Sequence, residues 1–404
     1  MKIIHSADWQ LGKRFVQFGQ EKAESLRAAR LATLGAMLRA ARDKGADAII
    51  IAGDLFEDNH VADSVVQSAL DLFREFDGVP IFILPGNHDP YTGPDCVWSR
   101  RFANAPGHIK VLTEAQHLKF GEVYFVASPL KQKVSPTDPS LLMKDLCKAL
   151  PEHAVKIGIT HGSPAIEGRH RENDFPIHLE AATRASLDYL AIGHWHDWQT
   201  FDRDRVVMPG TPEPESFENT DCGYVSCFEI TGRGVPPKIE KVPISTLGWV
   251  SLRFDFLDPV NSVRLAHETI ERTDRALDKL IIRVVLTGNA TPAHVKSTTE
   301  LLNSEFGDAC ALRIENDTAP TLSAAELAEL KDKHPLLAQI FGDLDYLEHR
   351  VAEAPKPESP DAAVSIEEAR ALAEKFKLDL LSLKAGDFKL ARQLLVLKIT
   401  EAAQ

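Results

Sequence analysis

The chain has 404 residues, of which 44% are hydrophobic and 26% are charged. These proportions are ordinary for a globular protein and exclude wholesale disorder, while the length predicts two or more domains. The formal net charge of −13 argues against a protein that binds nucleic acid through an overall positive charge. No apolar run is long enough to span a bilayer, and the five cysteines include no Cys-x-x-Cys pair. We therefore expect a cytoplasmic protein without a membrane partner.

Apolar runs alternate with amphipathic segments in the first half of the chain, as in an α/β protein. The predicted elements, in chain order, are a strand at 2–6, a helix at 21–44, a strand at 48–52, a helix at 61–76 and a strand at 80–84. Further short apolar runs at 123–127, 156–160 and 189–192 predict buried strands. Together these elements predict a domain over residues 1–245.

The pattern changes after residue 245. Strand and helix signals alternate at 251–256, 260–276, 281–286, 292–306 and 311–314, which predicts a small α+β domain over residues 246–320. A helical segment is predicted at 321–352, and Pro335 is expected to interrupt it. Three prolines then indicate a stiffened linker at 353–363, and residues 364–404 are predicted to form two amphipathic helices.

Polar clusters follow five of the predicted strands. In chain order they are Asp8-Trp9-Gln10, Gly53-Asp54-Leu55-Phe56-Glu57, Gly86-Asn87-His88-Asp89, Gly158-Ile159-Thr160-His161-Gly162 and Gly193-His194-Trp195-His196. Ligand sites in open α/β sheets lie at the carboxyl ends of strands, so these clusters are expected to converge. Any one of them alone is equally consistent with a turn or a loop histidine. Five in this order indicate a site.

Carboxylate and amide oxygens mixed with imidazoles suit divalent manganese, iron, zinc or magnesium, and one carboxylate can bridge two ions. The candidate ligands are Asp8, Gln10, Asp54, Asn87, His161, His194 and His196. Residues two apart face the same side of an extended strand, which is the geometry expected for Asp8 and Gln10. The glycines are expected where the chain turns sharply to present a ligand.

The ordered motifs resemble those of the calcineurin-like metallophosphoesterase superfamily, whose pattern is Asp-x-His, Gly-Asp, Gly-Asn-His-Asp/Glu, a lone His and Gly-His-x-His. Within that superfamily, residues 5–9, 53–56 and 209–212 are similar to the SbcD family of DNA nuclease subunits. The resemblance covers residues 1–245 strongly and the following domain only in layout. It implies an α/β fold in which a two-sheet sandwich is flanked by helices, with a small α+β capping domain and C-terminal helices.

The resemblance also implies which residues act. It places Asp8, Gln10, Asp54 and His196 around one ion, and Asp54, Asn87, His161 and His194 around the other. His88 would contact the scissile phosphate and protonate the leaving oxygen, with Asp89 orienting it. Two manganese ions would then support in-line hydrolysis of a phosphodiester. Family members usually have a histidine at the position of Gln10, so the first ligand set departs from the pattern.

The same resemblance implies three partners: DNA, an SbcC-like coiled-coil ATPase and a second copy of the chain in a homodimer. Basic residues in predicted loops are candidates for DNA binding, namely Arg100, Arg101, Lys131, Lys133, Arg169 and Arg171. Apolar stripes on the last two helices are candidates for binding the ATPase, namely Ile366, Leu372, Phe376, Leu390, Leu394 and Leu397. The basic residues are equally consistent with solvated surface charges, and the stripes with packing on their own domain.

Three functions remain open from the sequence. The first is a metal-dependent DNA nuclease subunit of an SbcCD-like break-processing complex. The second is a phosphatase or small-nucleotide phosphodiesterase, because the chemistry of the superfamily does not fix the substrate. The third is a non-catalytic scaffold whose metal site is degenerate because of Gln10. Duplex DNA, p-nitrophenyl phosphate and cyclic nucleotides distinguish the first two, and any manganese-dependent activity excludes the third.

Overall fold

The computed structural model describes residues 1–76, 78–256, 258–321, 324–333 and 335–352, together with residue 391. The described chain divides into two compact units. The first unit comprises Met1–Val250, Arg275–Ile282 and Asp308–Ala311. The second comprises Ser251–Asp274, Arg283–Gly307 and the described part of Leu312–Gln404. The predicted linker and the candidate ATPase-binding residues lie outside the described residues, namely 353–363, Ile366, Leu372, Phe376, Leu390, Leu394 and Leu397.

The first unit is an α/β structure in which short strands alternate with helices. Its strands, in chain order, are β1 Lys2–Ser6, β2 Ala48–Ala52, β3 Ile81–Leu84, β4 Ile109–Val111, β5 Gln116–Phe120, β6 Val123–Ser128, β7 Val155–Thr160, β8 Tyr189–Ala191, β9 Gln199–Phe201, β10 Val206–Met208, β11 Tyr224–Glu229 and β12 Lys238–Pro243. Its helices are α1 Gln20–Asp43, α2 Asp63–Glu75, α3 Val97–Arg101, α4 Leu141–Lys148 and α5 Ala181–Ala185.

Two six-stranded sheets organise this unit, with strand orders β12-β11-β1-β2-β3-β4 and β5-β6-β7-β8-β10-β9. Strands β1 to β4 run parallel to one another in the first sheet, and β6, β7, β8 and β10 do so in the second. The strands β11, β12, β5 and β9 pair antiparallel towards the edges. Parallel strands place their carboxyl ends at one edge of a sheet, so the loops that follow them are brought together.

Successive residues of the central strands are apolar and point to opposite faces of the sheet, so each sheet is buried on both faces. Ile50 of β2 and Ile157 of β7 share the central core between the two sheets. The neighbouring Ile49 points the other way and packs with Leu34 of α1 and Phe73 of α2. Burying one such side chain contributes roughly 1.5–3 kcal/mol, which fixes the register of each strand. Helices α4 and α5 cover the second sheet in the same manner, and the predicted two-sheet sandwich flanked by helices is confirmed.

Five strands and four α-helices follow β12 in the described part of the chain. The strands are β13 Gly248–Asp255, β14 Leu280–Thr287, β15 Asn289–Ala290, β16 Ala311–Asn316 and β17 Ala319–Pro320. β13, β14 and β16 form one sheet in the order β13-β14-β16, and β15 pairs with β17. The helices are α6 Pro259–Ile270, α7 Pro292–Phe306, α8 Ala324–Lys333 and α9 Pro335–Ala352. Pro335 opens α9, because proline fits the first turn of a helix and not its interior. No helix within the described residues is long and apolar enough to cross a membrane.

Candidate metal centre

The predicted metal ligands lie in five loops at the carboxyl ends of parallel strands. Asp8 and Gln10 follow β1, Asp54 follows β2, Asn87 follows β3, His161 follows β7, and His194 and His196 follow β8. Backbone hydrogen bonds join these loops in pairs. The Asp8 amide donates to Gly53 at 3.2 Å, and the Gly162 amide donates to Gly193 at 3.1 Å. Each of these bonds joins loops of one sheet, and the loops of the two sheets are joined by the His194 amide, which donates to Asp8 Oδ2.

Asp8, Asp54 and His161 form the centre of the site. One ligand atom of each lies within 4.8 Å of those of the other two, and all three residues are buried. His161 Nδ1 donates to the Ala52 carbonyl at 2.9 Å, while its Nε2 lies 3.3 Å from Asp54 Oδ2. Asp8 Oδ2 accepts from the His194 amide at 3.0 Å, whereas the buried Asp8 Oδ1 has no hydrogen-bond partner among the described residues. Converging donors that include an unpartnered carboxylate oxygen fit a divalent cation.

Asn87 joins this centre to His194. Its side-chain oxygen lies 2.9 Å from His161 Nε2 and 2.9 Å from His194 Nδ1. On its far side the His194 ring contacts Asp174, with Nε2 2.9 Å from Oδ2. A carboxylate that accepts the Nε2 proton leaves Nδ1 as the ligand atom. These residues and Asp54 therefore fit the second of the two predicted ligand sets.

Four of the predicted ligands have positive φ. The values are 57° for Asp8, 43° for Gln10, 54° for Asp54 and 133° for His194. Non-glycine residues in such conformations cost of order 1–3 kcal/mol each and persist only where the surroundings over-determine them. The expectation of extended backbone at Asp8 and Gln10 is therefore wrong, and tight turns aim these side chains instead.

Two glycines are required by close approach to the ligands. A Cβ atom on Gly53 would lie 2.1 Å from His161 Nδ1, and one on Gly86 would lie 2.1 Å from Asp54 Oδ1. Such separations are far shorter than van der Waals contact. Any side chain at these positions would displace a ligand.

The first predicted ligand set, which contains Gln10 and His196, has a different geometry. His196 Nδ1 donates to Glu215 Oε1 at 2.7 Å, which leaves Nε2 as the ligand atom. The Gln10 amide nitrogen lies 3.3 Å from that Nε2 atom, and the amide oxygen accepts from Lys13 Nζ at 3.1 Å. Lys13 also donates to Glu215 Oε2 at 2.6 Å. Gln10 therefore lies between a lysine ammonium and an imidazole.

His88 reaches the centre from the loop after β3. Its amide donates to Asp54 Oδ1 at 2.9 Å, and its ring Nδ1 donates to the Glu57 carbonyl at 3.0 Å. Because Nδ1 is occupied, Nε2 is the ring atom that can face a substrate. His88 contacts the predicted ligand Asp54 through its backbone and leaves ring atom Nε2 for a substrate, which fits the role predicted for it.

Asp89 acts on the loops and not on the His88 ring. Its buried carboxylate accepts from the Gly86 amide at 2.8 Å and from the Phe56 amide at 2.9 Å. These two bonds hold the loop after β3 against the loop after β2. The expected contact between Asp89 and the His88 ring is replaced by the contact of that ring with Glu57.

The charges at the centre shift the pKa values of its buried groups. Burial alone would lower the pKa of His161, but the charge of Asp54 and their hydrogen bond raise it to about 9. Burial raises the pKa of Asp89, and the charge of Asp54 raises it further, to about 7. In Asp54 itself burial raises the pKa, but the charges of His161 and His88 and the hydrogen bonds to both residues together outweigh burial, so the pKa is lowered. The paired carboxylates therefore produce a field that favours a cation among them.

Three of the candidate DNA-binding residues have partners within the protein. Arg100 donates to a backbone carbonyl at 2.6 Å, and Arg101 forms an ion pair with Asp63. Lys131 forms an ion pair with Glu114. Exposed contacts of this kind are weak, so they leave these side chains available to a phosphate without indicating that they bind one.

The remaining candidates are Lys133, Arg169 and Arg171, and all three are exposed. The Arg169 guanidinium lies over the Trp195 ring, 5.0 Å from its centroid. Trp195 stands between the ligands His194 and His196 in sequence. Arg169 is therefore the candidate whose side chain contacts a residue that neighbours two predicted ligands in sequence.

Four residues to which the sequence assigned no role contact the ligands or His88, namely Lys13, Glu57, Asp174 and Glu215. Glu57 and Glu215 lie one and three residues after the segments 53–56 and 209–212 that carry the resemblance. Their closeness to these segments was the sequence signal that could have identified them. Asp174 lies in an irregular loop after β7, where nothing in the local pattern distinguishes it from other surface carboxylates.

Comparison with known proteins identifies similar sequences and a similar structure. Residues 1–198 match the family model of calcineurin-like phosphoesterases. The chain is similar to the SbcD subunit of the nuclease SbcCD of Bacillus subtilis, with 24% identity over 263 residues, which cover 57% of this chain and 66% of that protein. It is also similar to the uncharacterized metallophosphoesterase YhaO of Bacillus subtilis, with 21% identity over 380 residues, which cover 85% of this chain and 87% of that protein. The crystal structure of TT1561 of Thermus thermophilus aligns with 60% of this chain and 98% of its own, at 16% identity and a TM-score of 0.40.

The matched residues include every predicted ligand, from Asp8 to His196, and also His88. The chain spans just under two thirds of the Bacillus subtilis nuclease subunit. Residues 1–198, just under half of the chain, therefore match the calcineurin-like phosphoesterases as a domain, and within them the buried group of Asp8, Asp54 and His161 could hold a metal ion.

Proposed function

We propose that the chain is a metal-dependent DNA nuclease subunit that works with an SbcC-like coiled-coil ATPase. The observation that carries the hydrolytic part is the convergence of Asp8, Asp54 and His161 beside the loop of His88. The site alone does not select DNA among phosphoesters. The similarity to the SbcD subunit of a nuclease favours DNA. Manganese is the proposed ion, because mixed carboxylate, amide and imidazole ligands suit it.

In the proposed reaction, divalent ions held by the two ligand sets supply Lewis-acid activation of the phosphate and of a water molecule. His88 presents its Nε2–H group to the scissile phosphate and gives the Nε2 proton to the leaving oxygen, while its Nδ1–H group stays hydrogen-bonded to the Glu57 carbonyl. Asp89 keeps the loop of His88 in place through Gly86 and Phe56. In this proposal the two ligand sets hold cations, His88 transfers one proton, and Asp89 fixes the backbone of the loop that carries His88.

Substrate choice tests this proposal. Purified protein with manganese is assayed on end-labelled duplex DNA, p-nitrophenyl phosphate and cyclic nucleotides, alongside Asp54→Asn and the matched control Asp71→Asn on the exposed face of α2. We expect hydrolysis of DNA that Asp54→Asn lowers by about 10²-fold or more and Asp71→Asn leaves unchanged. Activity on the small substrates alone would support the phosphatase or small-nucleotide function. Absence of all manganese-dependent activity would support the scaffold.

Arg169 is the proposed DNA contact that is easiest to test, because its guanidinium lies over Trp195 at the edge of the centre. Arg169→Ala should weaken DNA binding and reduce its salt dependence, since a lost phosphate contact lowers the number of released counterions by about one. Lys119→Ala, on the edge strand β5, serves as the control. If the affinity for DNA depends equally on salt concentration in wild type and in both variants, Arg169 does not contact a DNA phosphate.

The two protein partners are also proposals. Binding of the ATPase is assigned to residues 364–404, and the homodimer to helices α1 and α2 of two copies. Light scattering after gel filtration measures the mass of the purified chain alone and with the coiled-coil ATPase. A monomer that forms no complex would contradict both.

A further inference from the structure

Lys13 is fixed at the first ligand set by two hydrogen bonds. Its ammonium donates to Gln10 Oε1 at 3.1 Å and to Glu215 Oε2 at 2.6 Å. Its side chain is only 26% exposed, so the charge lies at the rim of the site and not in bulk solvent. An ammonium has three N–H donors, and the third remains for an acceptor in the site.

Glu215 is held by other cationic groups as well. It accepts from Arg30, whose side chain is 1% exposed, at 3.1 Å, and from His196 Nδ1 at 2.7 Å. Arg30 also donates to the carbonyl of Trp9, the residue between Asp8 and Gln10. Two permanent cations, Lys13 and Arg30, therefore share one carboxylate next to Gln10.

Gln10 turns its donor and not its acceptor towards His196. The amide oxygen is used by Lys13, and the amide nitrogen lies 3.3 Å from His196 Nε2. An amide NH₂ group cannot ligate a cation, and it donates to the nitrogen lone pair that a metal ion would need. The acidic and imidazole groups that converge within the described residues are Asp8, Asp54 and His161, and neither His194 nor His196 belongs to this group.

The charge of Lys13 also reaches the opposite side of the site. Burial raises the pKa of Glu57, and the charge of Lys13 opposes this rise. Glu57 holds the His88 ring through its carbonyl, and its buried Oε2 atom has no hydrogen-bond partner among the described residues. Lys13 therefore lies within electrostatic range of both His196 and the loop that orients His88.

We propose that Lys13 is the built-in cation of the first ligand set: the centre works with one firmly bound ion, and the Lys13 ammonium contacts the substrate phosphate in place of a second. The firmly bound ion belongs to the set of Asp54, Asn87, His161 and His194. This inference rests on the proposed phosphodiesterase function and narrows it to one ion and one ammonium.

Metal stoichiometry tests the inference without relying on activity. Manganese binding is measured by titration calorimetry and by electron paramagnetic resonance of the free ion, for wild type, Lys13→Met, Lys13→Arg and the surface control Lys119→Met. We expect wild type to bind one ion firmly and a second at least about tenfold more weakly. Lys13→Met frees the Gln10 oxygen and removes a positive charge, so the second ion should bind about 10–100-fold more tightly. Lys13→Arg and Lys119→Met should keep the wild-type pattern.

Two ions of equal affinity in wild type would overturn the inference, as would an unchanged second affinity in a folded Lys13→Met. If Lys13→Met fails to fold in thermal melting, the wild-type stoichiometry decides alone. The dependence of rate on manganese gives a second measure: wild-type activity should saturate with the first ion, and that of Lys13→Met only with the second. Absence of hydrolysis in wild type would refute the proposed function, while the metal titration would still decide how many ions bind.

Discussion

His5 makes the stability of the sandwich depend on pH, because burial lowers its pKa from 6.5 to about 3. It lies on β1, is fully buried, and its Nδ1 atom is 2.9 Å from the Tyr189 hydroxyl on β8. The contact joins the two sheets beneath the metal loops. A folded pKa below the unfolded one means that the unfolded chain binds more protons. The stability contributed by neutral His5 is therefore present above pH 6.5 and is lost as the pH falls towards 3.

Replacing His5 by glutamine removes this titration. Each pH unit between the two pKa values corresponds to about 1.4 kcal/mol, so wild type should lose about 2.5 kcal/mol more than His5→Gln between pH 7 and pH 4.5. Asp89 and Glu57, whose pKa values are raised by burial, act in the opposite direction. They are present in both proteins, so their contribution cancels in the difference.

Urea unfolding followed by tryptophan fluorescence, in buffers with a chelator from pH 4.5 to pH 7.5, measures the free energy of unfolding of each protein. The control is His117→Gln, which changes an exposed histidine on β5. Its stability should follow the wild-type dependence on pH. If the wild-type and His5→Gln curves run parallel, with only a constant offset, His5 does not stay neutral in the folded state.

Three further predictions concern the site and the chain end. His88→Ala should keep its metal and lose at least about 10²-fold in hydrolysis, the usual scale of general-acid catalysis; metal loss, or near-normal turnover, would contradict its role. Gln10→His should make the second, weaker ion bind more tightly at the first ligand set, because it puts an imidazole where the amide NH₂ group of Gln10 faces His196; identical calorimetric titrations would exclude this. Truncation at Ala354 should leave melting and hydrolysis of small phosphodiesters intact while abolishing co-purification with the ATPase, and an insoluble product would show that the removed residues are needed by the core.

The strands β1, β2, β3, β6, β7 and β8 were predictable because their determinants are local, whereas β4, β5 and β9 to β12 were not predicted. Strands buried on both faces form uninterrupted apolar runs, and the run at 48–52 coincides with β2 Ala48–Ala52. The position of the ligands followed from the same signal, since each polar cluster comes directly after such a run. Convergence of the clusters needed only the rule that parallel strands end at one edge of a sheet.

The details of the first ligand set could not be predicted, because they depend on contacts between distant segments. Lys13 and Glu215 are 202 residues apart and meet only when the loop after β10 folds onto the loop after β1. The tight turns at Asp8 and Gln10 are equally non-local, since the Gln10 amide is held by the Asp54 carbonyl at 2.9 Å. A sequence pattern reports the residue types at a site and not the partner that each side chain selects.

These non-local contacts also weigh against the scaffold function. A buried ion pair costs several kcal/mol per ion in desolvation, yet the 1%-exposed Arg30 is directed at Glu215, the residue that positions His196. Left-handed backbone at Asp8 and Gln10 adds a further cost of order 1–3 kcal/mol each. A packing role would be served at lower cost by apolar side chains in relaxed turns. A site that must hold cations in a fixed geometry requires such backbone strain and buried charge at its ligands. The presence of Gln10 where family members usually have a histidine is therefore better explained by a site that uses one metal ion and the Lys13 ammonium than by loss of the site.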